Sequence, residues 1–182
     1  MASALGMIEF KTVASGITMA DRMVKTSDVE LVEGQVVCPG KYIALFRGDL
    51  SAIRAAVDVA EQSGSQNLIS TFVLGNPHED IFPALYGSTQ IDQVHALGII
   101  ESYDAASMVV AADVAAKTSI VRLIELRLAK GMCGKSYLTL TGEVAAVEAA
   151  IEKARISVGE KGMLLDSSVI AQPDPQICKS IL

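Results

Sequence analysis

Apolar positions along this chain alternate between strand-like runs and helix-like spacing, and the whole pattern occurs twice. Leu5 to Phe10 is a short apolar run of strand length. Ser15, a residue type favoured at helix N-caps, then opens a helix to about Lys25 with Ile17, Ala20, Met23 and Val24 on one face. Val29–Val36 and Tyr42–Phe46 read as strands joined by the Pro-Gly turn after Cys38. Asp49 caps a second helix whose Ile53, Ala56, Val57 and Ala60 follow i, i+3, i+4, i+7, and Gly64 ends it. Leu68–Leu74 is a last strand, and Pro77 begins a short tail helix through Leu85. The order strand, helix, strand, strand, helix, strand predicts an α+β fold of the ferredoxin-like βαββαβ kind.

The second half repeats the first. Ala4-Leu5-Gly6-Met7-Ile8-Glu9 returns as Ala96-Leu97-Gly98-Ile99-Ile100-Glu101, and Lys25-Thr26-Ser27 as Lys117-Thr118-Ser119, both 92 residues on. Gly40-Lys41 recurs as Gly134-Lys135, and Gly48-Asp49-Leu50 as Gly142-Glu143-Val144, 94 residues on. Val73 to Pro77 matches Val169 to Pro173 at an offset of 96, and Val147, Ala150, Ile151 and Ala154 repeat the apolar face of the second helix. A drifting offset is what one fold copied twice acquires when insertions fall in loops. The expected domains are residues 1–90 and 95–182, with the polar stretch Gly87–Val94 as a linker short enough to place the copies side by side.

Composition narrows the function classes. Hydrophobic residues make up 51% of the 182, with aromatics only 4%, an apolar surplus that suggests burial against other subunits. Charges interrupt every apolar run well short of the ~20 residues a membrane helix requires, and no secretory signal is read at the N-terminus. The net charge is −6, with 6 basic and 11 acidic residues up to Val94 and 9 and 10 after it. Neither half carries the basic stripe that nucleic acid demands, so neither nucleic acid nor membrane is expected as a partner. Three cysteines without a C-x-x-C point to a reducing compartment rather than a disulfide framework.

Motifs for catalysis are missing. Gly134-Lys135-Ser136 resembles the end of a phosphate-binding loop, but Ala129 stands where that motif needs glycine, and a strand, not a helix, is expected to follow. His78 and His95 belong to no ligand spacing and are read as surface residues. With no G-x-S-x-G elbow the chain is not expected to be an enzyme. Cys178, in the tail, reads as incidental, and Cys133 as a small residue in a tight turn. Cys38 differs: a Pro-Gly turn holds it at a loop tip, where core burial does not explain it. An ordinary loop thiol is one reading. The other is a ligand completed by symmetry, because three chains about a threefold axis would bring three sulfurs together, enough for three corners of an iron–sulfur cluster.

The blocks Ala4–Glu9, Ala20-Asp21-Arg22-Met23-Val24-Lys25 and Gly40-Lys41 with Gly48-Asp49, and their counterparts Ala96–Glu101, Ala112–Lys117 and Gly134-Lys135 with Gly142-Glu143, resemble the bacterial microcompartment (BMC) shell domain over essentially the whole chain. The Cys38-Pro39-Gly40-Lys41 turn resembles in particular the iron–sulfur-binding tandem type of propanediol-utilisation compartments. The resemblance implies a homotrimer forming a pseudohexameric tile in the shell of a microcompartment in the bacterial cytoplasm. Other BMC shell proteins, and an encapsulated redox enzyme, are the implied partners. It further implies a 4Fe–4S cluster shared by three subunits through one Cys38 each, the fourth iron taking a non-protein ligand, for electron transfer across the shell. Pro39, Gly40, Lys130, Gly131, Met132, Cys133 and Gly134 would line the pore, and Lys25, Lys117 and His78 would serve tile-edge contacts. Cys133 departs from the expected small residue. A cluster-free metabolite pore, with Cys38 merely lining it, is the alternative; a ligand-binding regulator that oligomerises without tiling is a third.

Overall fold

A computed structural model describes residues 3–181 of the chain. It divides into two compact units, Met1–Pro77 and His78–Leu182. The first contains β1 (Ser3–Phe10), α1 (Val13–Thr26), β2 (Val29–Val37), β3 (Lys41–Asp49), α2 (Leu50–Glu61) and β4 (Leu68–Gly75). The second contains α3 (Ile81–Leu85), β5 (Ala96–Ser102), α4 (Ala105–Thr118), β6 (Val121–Leu128), β7 (Ser136–Gly142), α5 (Val144–Gly159), β8 (Leu164–Ile170) and α6 (Pro175–Ile181). The segment 78–90, read from the sequence as the tail of the first copy, is thus grouped with the second unit.

Each unit is a four-stranded antiparallel sheet, ordered β2-β3-β1-β4 and β6-β7-β5-β8. The two helices between strands pack on the sheet. This is the α+β arrangement that the doubled pattern predicts. The copies agree even in their irregularities: the ladder shifts between Leu31 and Glu33 and again between Leu123 and Glu125. In the first unit Ile8, Phe10, Met23, Ala44, Phe46, Ile53 and Ala60 are buried together.

The repeated Ala-Leu-Gly block has a steric origin. A Cβ on Gly98 would lie 2.8 Å from both Ile151 Cγ1 and Leu140 Cδ1 and 2.9 Å from Val147 Cγ1. One on Gly6 would meet Ile53 Cγ2 at 2.8 Å. The central strand needs glycine where the second helix crosses it, so the residue recurs in both copies.

Three expectations shift. The N-cap of α1 is Thr12, not Ser15, and Ser15 Oγ instead accepts a 2.9 Å bond from Asn67 Nδ2. Asp49 does occupy the N-cap of α2, but its side chain makes no capping bond. The tail helix begins at Ile81 rather than Pro77, because Pro77 and His78 lead into it in non-helical conformation. No helix among the described residues is long and apolar enough to cross a membrane.

Candidate functional site

The β2–β3 and β6–β7 connections carry the residues that the sequence singles out. In the first unit the ladder closes at Val37 opposite Lys41, which leaves Cys38, Pro39 and Gly40 as a three-residue turn. The Cys38–Pro39 peptide is cis, and Gly40 has a φ of +87° that side-chain-bearing residues rarely adopt. Gly40 donates its N–H to Val37 O at 2.9 Å, tying the turn to the strand end. Pro39 and Gly40 are exposed and Cys38 is half-buried with a free thiol. Nothing lies within 4 Å of the position a Cβ on Gly40 would take, so open space borders the turn.

An ion pair anchors its base. Lys41 Nζ donates to Glu9 Oε1 at 2.9 Å, and Ser70 Oγ donates to Glu9 Oε2 at 3.1 Å. The Glu9 side chain is only 7% exposed, so its carboxylate depends on these partners. The lysine of the Cys-Pro-Gly-Lys motif is therefore committed to the fold.

The second unit makes a different loop. Its ladder closes at Leu128 opposite Ser136, leaving seven residues, Ala129 to Lys135. Four of them are left-handed: Ala129 at +56°, Gly131 at +72°, Cys133 at +55° and Gly134 at +90°. The tight turn expected around Cys133 is thus a longer loop. Cys133, Lys130 and Gly131 are exposed, Met132 is half-buried and Gly134 is buried. Ala129 N–H donates to Ser136 Oγ and Lys135 N–H to Met132 O, both within 3.1 Å. A strand follows Gly134-Lys135, as expected, so the phosphate-loop likeness ends there.

Beside this loop, Tyr137 donates its hydroxyl to Glu125 Oε2 in a short bond, and the Arg127 guanidinium lies 5.6 Å from the Tyr137 ring centroid. Burial, followed by the bond to Glu125, pushes the Tyr137 phenol up to about 12. Arg127 also pairs with Glu125 at 2.7 Å.

Of the predicted edge residues, Lys25 and Lys117 fall at the ends of α1 and α4, and His78 lies in the segment that leads into α3. Lys25 pairs with Asp21 at 2.6 Å, both exposed. Lys117 pairs with Asp113 at 2.7 Å, but Asp113 is 8% exposed and its second oxygen accepts the His78 N–H at 2.8 Å. The structure therefore joins His78 and Lys117 through Asp113, a link that residue spacing alone did not suggest. His78 Nδ1 in turn accepts from Asp80 N–H at 3.3 Å. His78 is half-buried, while His95 is exposed.

Among the described residues no group of three or more His, Cys, Asp or Glu could hold a metal ion. One chain thus offers a single thiol at each turn, which fits an iron–sulfur cluster only if other chains supply further thiolates. Glu9, Ser70, Asp113 and Tyr137 were missed from sequence. The one available signal was that Glu9 and Glu101 both end an apolar strand block, where an isolated carboxylate needs a partner.

The family model for the BMC domain matches residues 4–77 and again 96–173. The bacterial microcompartment shell protein PduT of Citrobacter freundii is 34% identical over all of this chain and 99% of its own length. A microcompartment protein from Desulfitobacterium hafniense DCB has a crystal structure that superposes with a TM-score of 0.93 at 39% identity, covering 98% of this chain and 99% of that one. The fused permuted hexameric shell protein MSM0275 from the RMM microcompartment aligns with a TM-score of 0.64 over 87% of this chain and 82% of its own. At 20% identity that last likeness is one of fold alone.

Proposed function

Because this chain belongs to the BMC-domain family of microcompartment shell proteins, we propose that three copies close into a six-sided tile whose centre holds one 4Fe–4S cluster, bound by a Cys38 thiolate from each subunit. Tandem copies suit this assembly, since three two-unit chains supply six similar units to a closed ring. The observation that carries the cluster is the setting of Cys38: a half-buried free thiol on a three-residue turn, bordered by open space and braced by the pair of Lys41 with the buried Glu9. A short braced turn holds its sulfur at one place, as a shared ligand set requires. When bound, such a cluster supplies one-electron chemistry at the tile centre, and its fourth iron would take water or another small ligand. Cys38 would hold the metal; Gly40 keeps the turn free of a side chain; Lys41 keeps Glu9 neutralised beneath it. Lys130 to Gly134 would line the same pore, with Cys133 as a second ring of thiols, and Lys25, Lys117 and His78 would meet neighbouring tiles.

The same pore without a cluster would pass metabolites instead, and iron content separates the two. Anaerobically purified protein should contain about four irons per three chains, with the broad visible absorbance of a 4Fe–4S cluster and an EPR signal on reduction. Cys38→Ser should keep the trimer and lose the iron, while Cys133→Ser keeps both. Full iron in Cys38→Ser, or none in the wild type after anaerobic reconstitution, would leave Cys38 as a pore-lining residue.

A further inference from the structure

The two units present unequal outer faces, and the internal repeat shows what is missing from the first. In the second unit, α3 packs on β6 and touches α4, with Ile81 and Ala84 fully buried. Asp80 pairs with Arg122 at 3.2 Å, and His78 N–H reaches Asp113 at 2.8 Å. Val109 and Leu123 are 0% exposed there and Ala116 8%. The equivalent positions of the first unit, 92 residues earlier, are Ile17, Leu31 and Val24, and they are 52%, 43% and 39% exposed. An apolar face that is covered in one copy is open in the other.

The covering segment has an exposed counterpart as well. At the offset of 96, α3 corresponds to α6, so that Ile81 matches Ile177 and Pro77 matches Pro173. Ile177 is 48% exposed and no residue of α6 is buried. The chain thus carries an uncovered face and an unused copy of the segment that covers such a face.

We infer that α6 of one subunit docks on the α1–β2 face of the next, repeating between chains the packing that α3 makes on α4 and β6 within the second unit. Ile177 would sit on the face that exposes Ile17, Val24 and Leu31. Polar partners at the repeat positions remain compatible. Gln176, in place of Asp80, offers an amide donor where Glu30, in place of Arg122, offers a carboxylate that Arg47 already holds at 2.7 Å through Oε2. The Asp174 N–H stands where His78 donates, and Asp21, 53% exposed in its side chain, stands where Asp113 accepts. Asp174 turns its own carboxylate onto Gln176 N–H at 2.8 Å, and Lys25 accompanies Asp21. The contact is head-to-tail, each chain giving one α6 and receiving another, which generates a ring when the rotation closes. The inference rests on the trimer proposed above and specifies which segment fastens it.

A photo-crosslinking residue placed at position 177, in a mixture of isotopically light and heavy chains, reads the contact directly. Crosslinks from 177 to peptides of α1 or β2 in the other isotope are expected. Light scattering should give a three-chain particle for wild type, and Ile177→Asp and Leu31→Asp should each raise the concentration at which it dissociates by about tenfold or more, since a charge replaces apolar burial. Both substitutions lie at exposed positions, and circular dichroism verifies that the units stay folded. Crosslinks confined to the same chain, or unchanged dissociation in both variants, would overturn the docking while leaving a trimer in place. A monomeric wild type would remove the trimer itself.

Discussion

Single residues in this protein differ in consequence according to what surrounds them, even where the two copies place the same residue type at the same position. Gly6 and Gly98 both underlie a crossing helix, but a Cβ at 98 would press on three side-chain atoms under 3.0 Å, and one at 6 on a single such atom. Gly98→Ala should cost about 1–3 kcal/mol of stability in chemical denaturation, and Gly6→Ala clearly less. Tyr137 allows a test with a sign. Its folded-state value is raised to about 12 from 10.0, so above pH 10 the unfolded chain releases a proton that the folded one keeps. Stability from this group is whole below about pH 10 and is lost as pH climbs toward 12. Tyr137→Phe should flatten that part of the alkaline loss, as followed by denaturation midpoints across this window.

Elements show the same divergence one level up. Helix α4 begins at Asp104, whose carboxylate accepts Ser107 N–H at 3.2 Å, and it buries residues on nearly every side. Helix α1 begins at Thr12 without a side-chain cap and buries only Gly16, Met19, Ala20 and Met23. The i,i+4 acid–lysine pair at their C-terminal ends is conserved in form but not in setting. Asp113 is buried and holds both Lys117 and the His78 N–H, so Asp113→Ala should cost about 1–3 kcal/mol. Asp21 is exposed and holds Lys25 alone, so Asp21→Ala should cost no more than about 0.5 kcal/mol. Urea titration of the two variants side by side measures the difference.

At the scale of the whole molecule, repetition links fold to assembly. The predicted strands and helices were legible because period-two and period-3.6 patterns recur at the same places in both halves, each copy corroborating the other. Boundaries were less so: a Ser at position 15 looks like a cap, but the helix begins earlier because Thr12 already stands in extended backbone. The Cys38 turn was legible from Cys-Pro-Gly-Lys, since a consecutive Pro and Gly leave the chain little freedom but to turn. Its brace was not, because Glu9, Lys41 and Ser70 lie 32 and 61 residues apart and meet only across three paired strands. The loss of iron in Cys38→Ser and the weakened trimer in Ile177→Asp are the outcomes expected at this scale, one at the proposed tile centre and one at the proposed subunit contacts.

What the sequence determined by itself is the doubled βαββαβ fold, the recurrence of the Ala-Leu-Gly block and the placing of Cys38 at a turn tip, because all of these follow from local preference and short-range pattern. Tertiary structure decided the rest: that Asp113 is buried where Asp21 is not, that seven residues rather than three join β6 to β7, and that α3 is covered while α6 lies bare. Burial belongs to the neighbours a residue acquires on folding, and two segments at equivalent places in the repeat become different when only one of them has found its face.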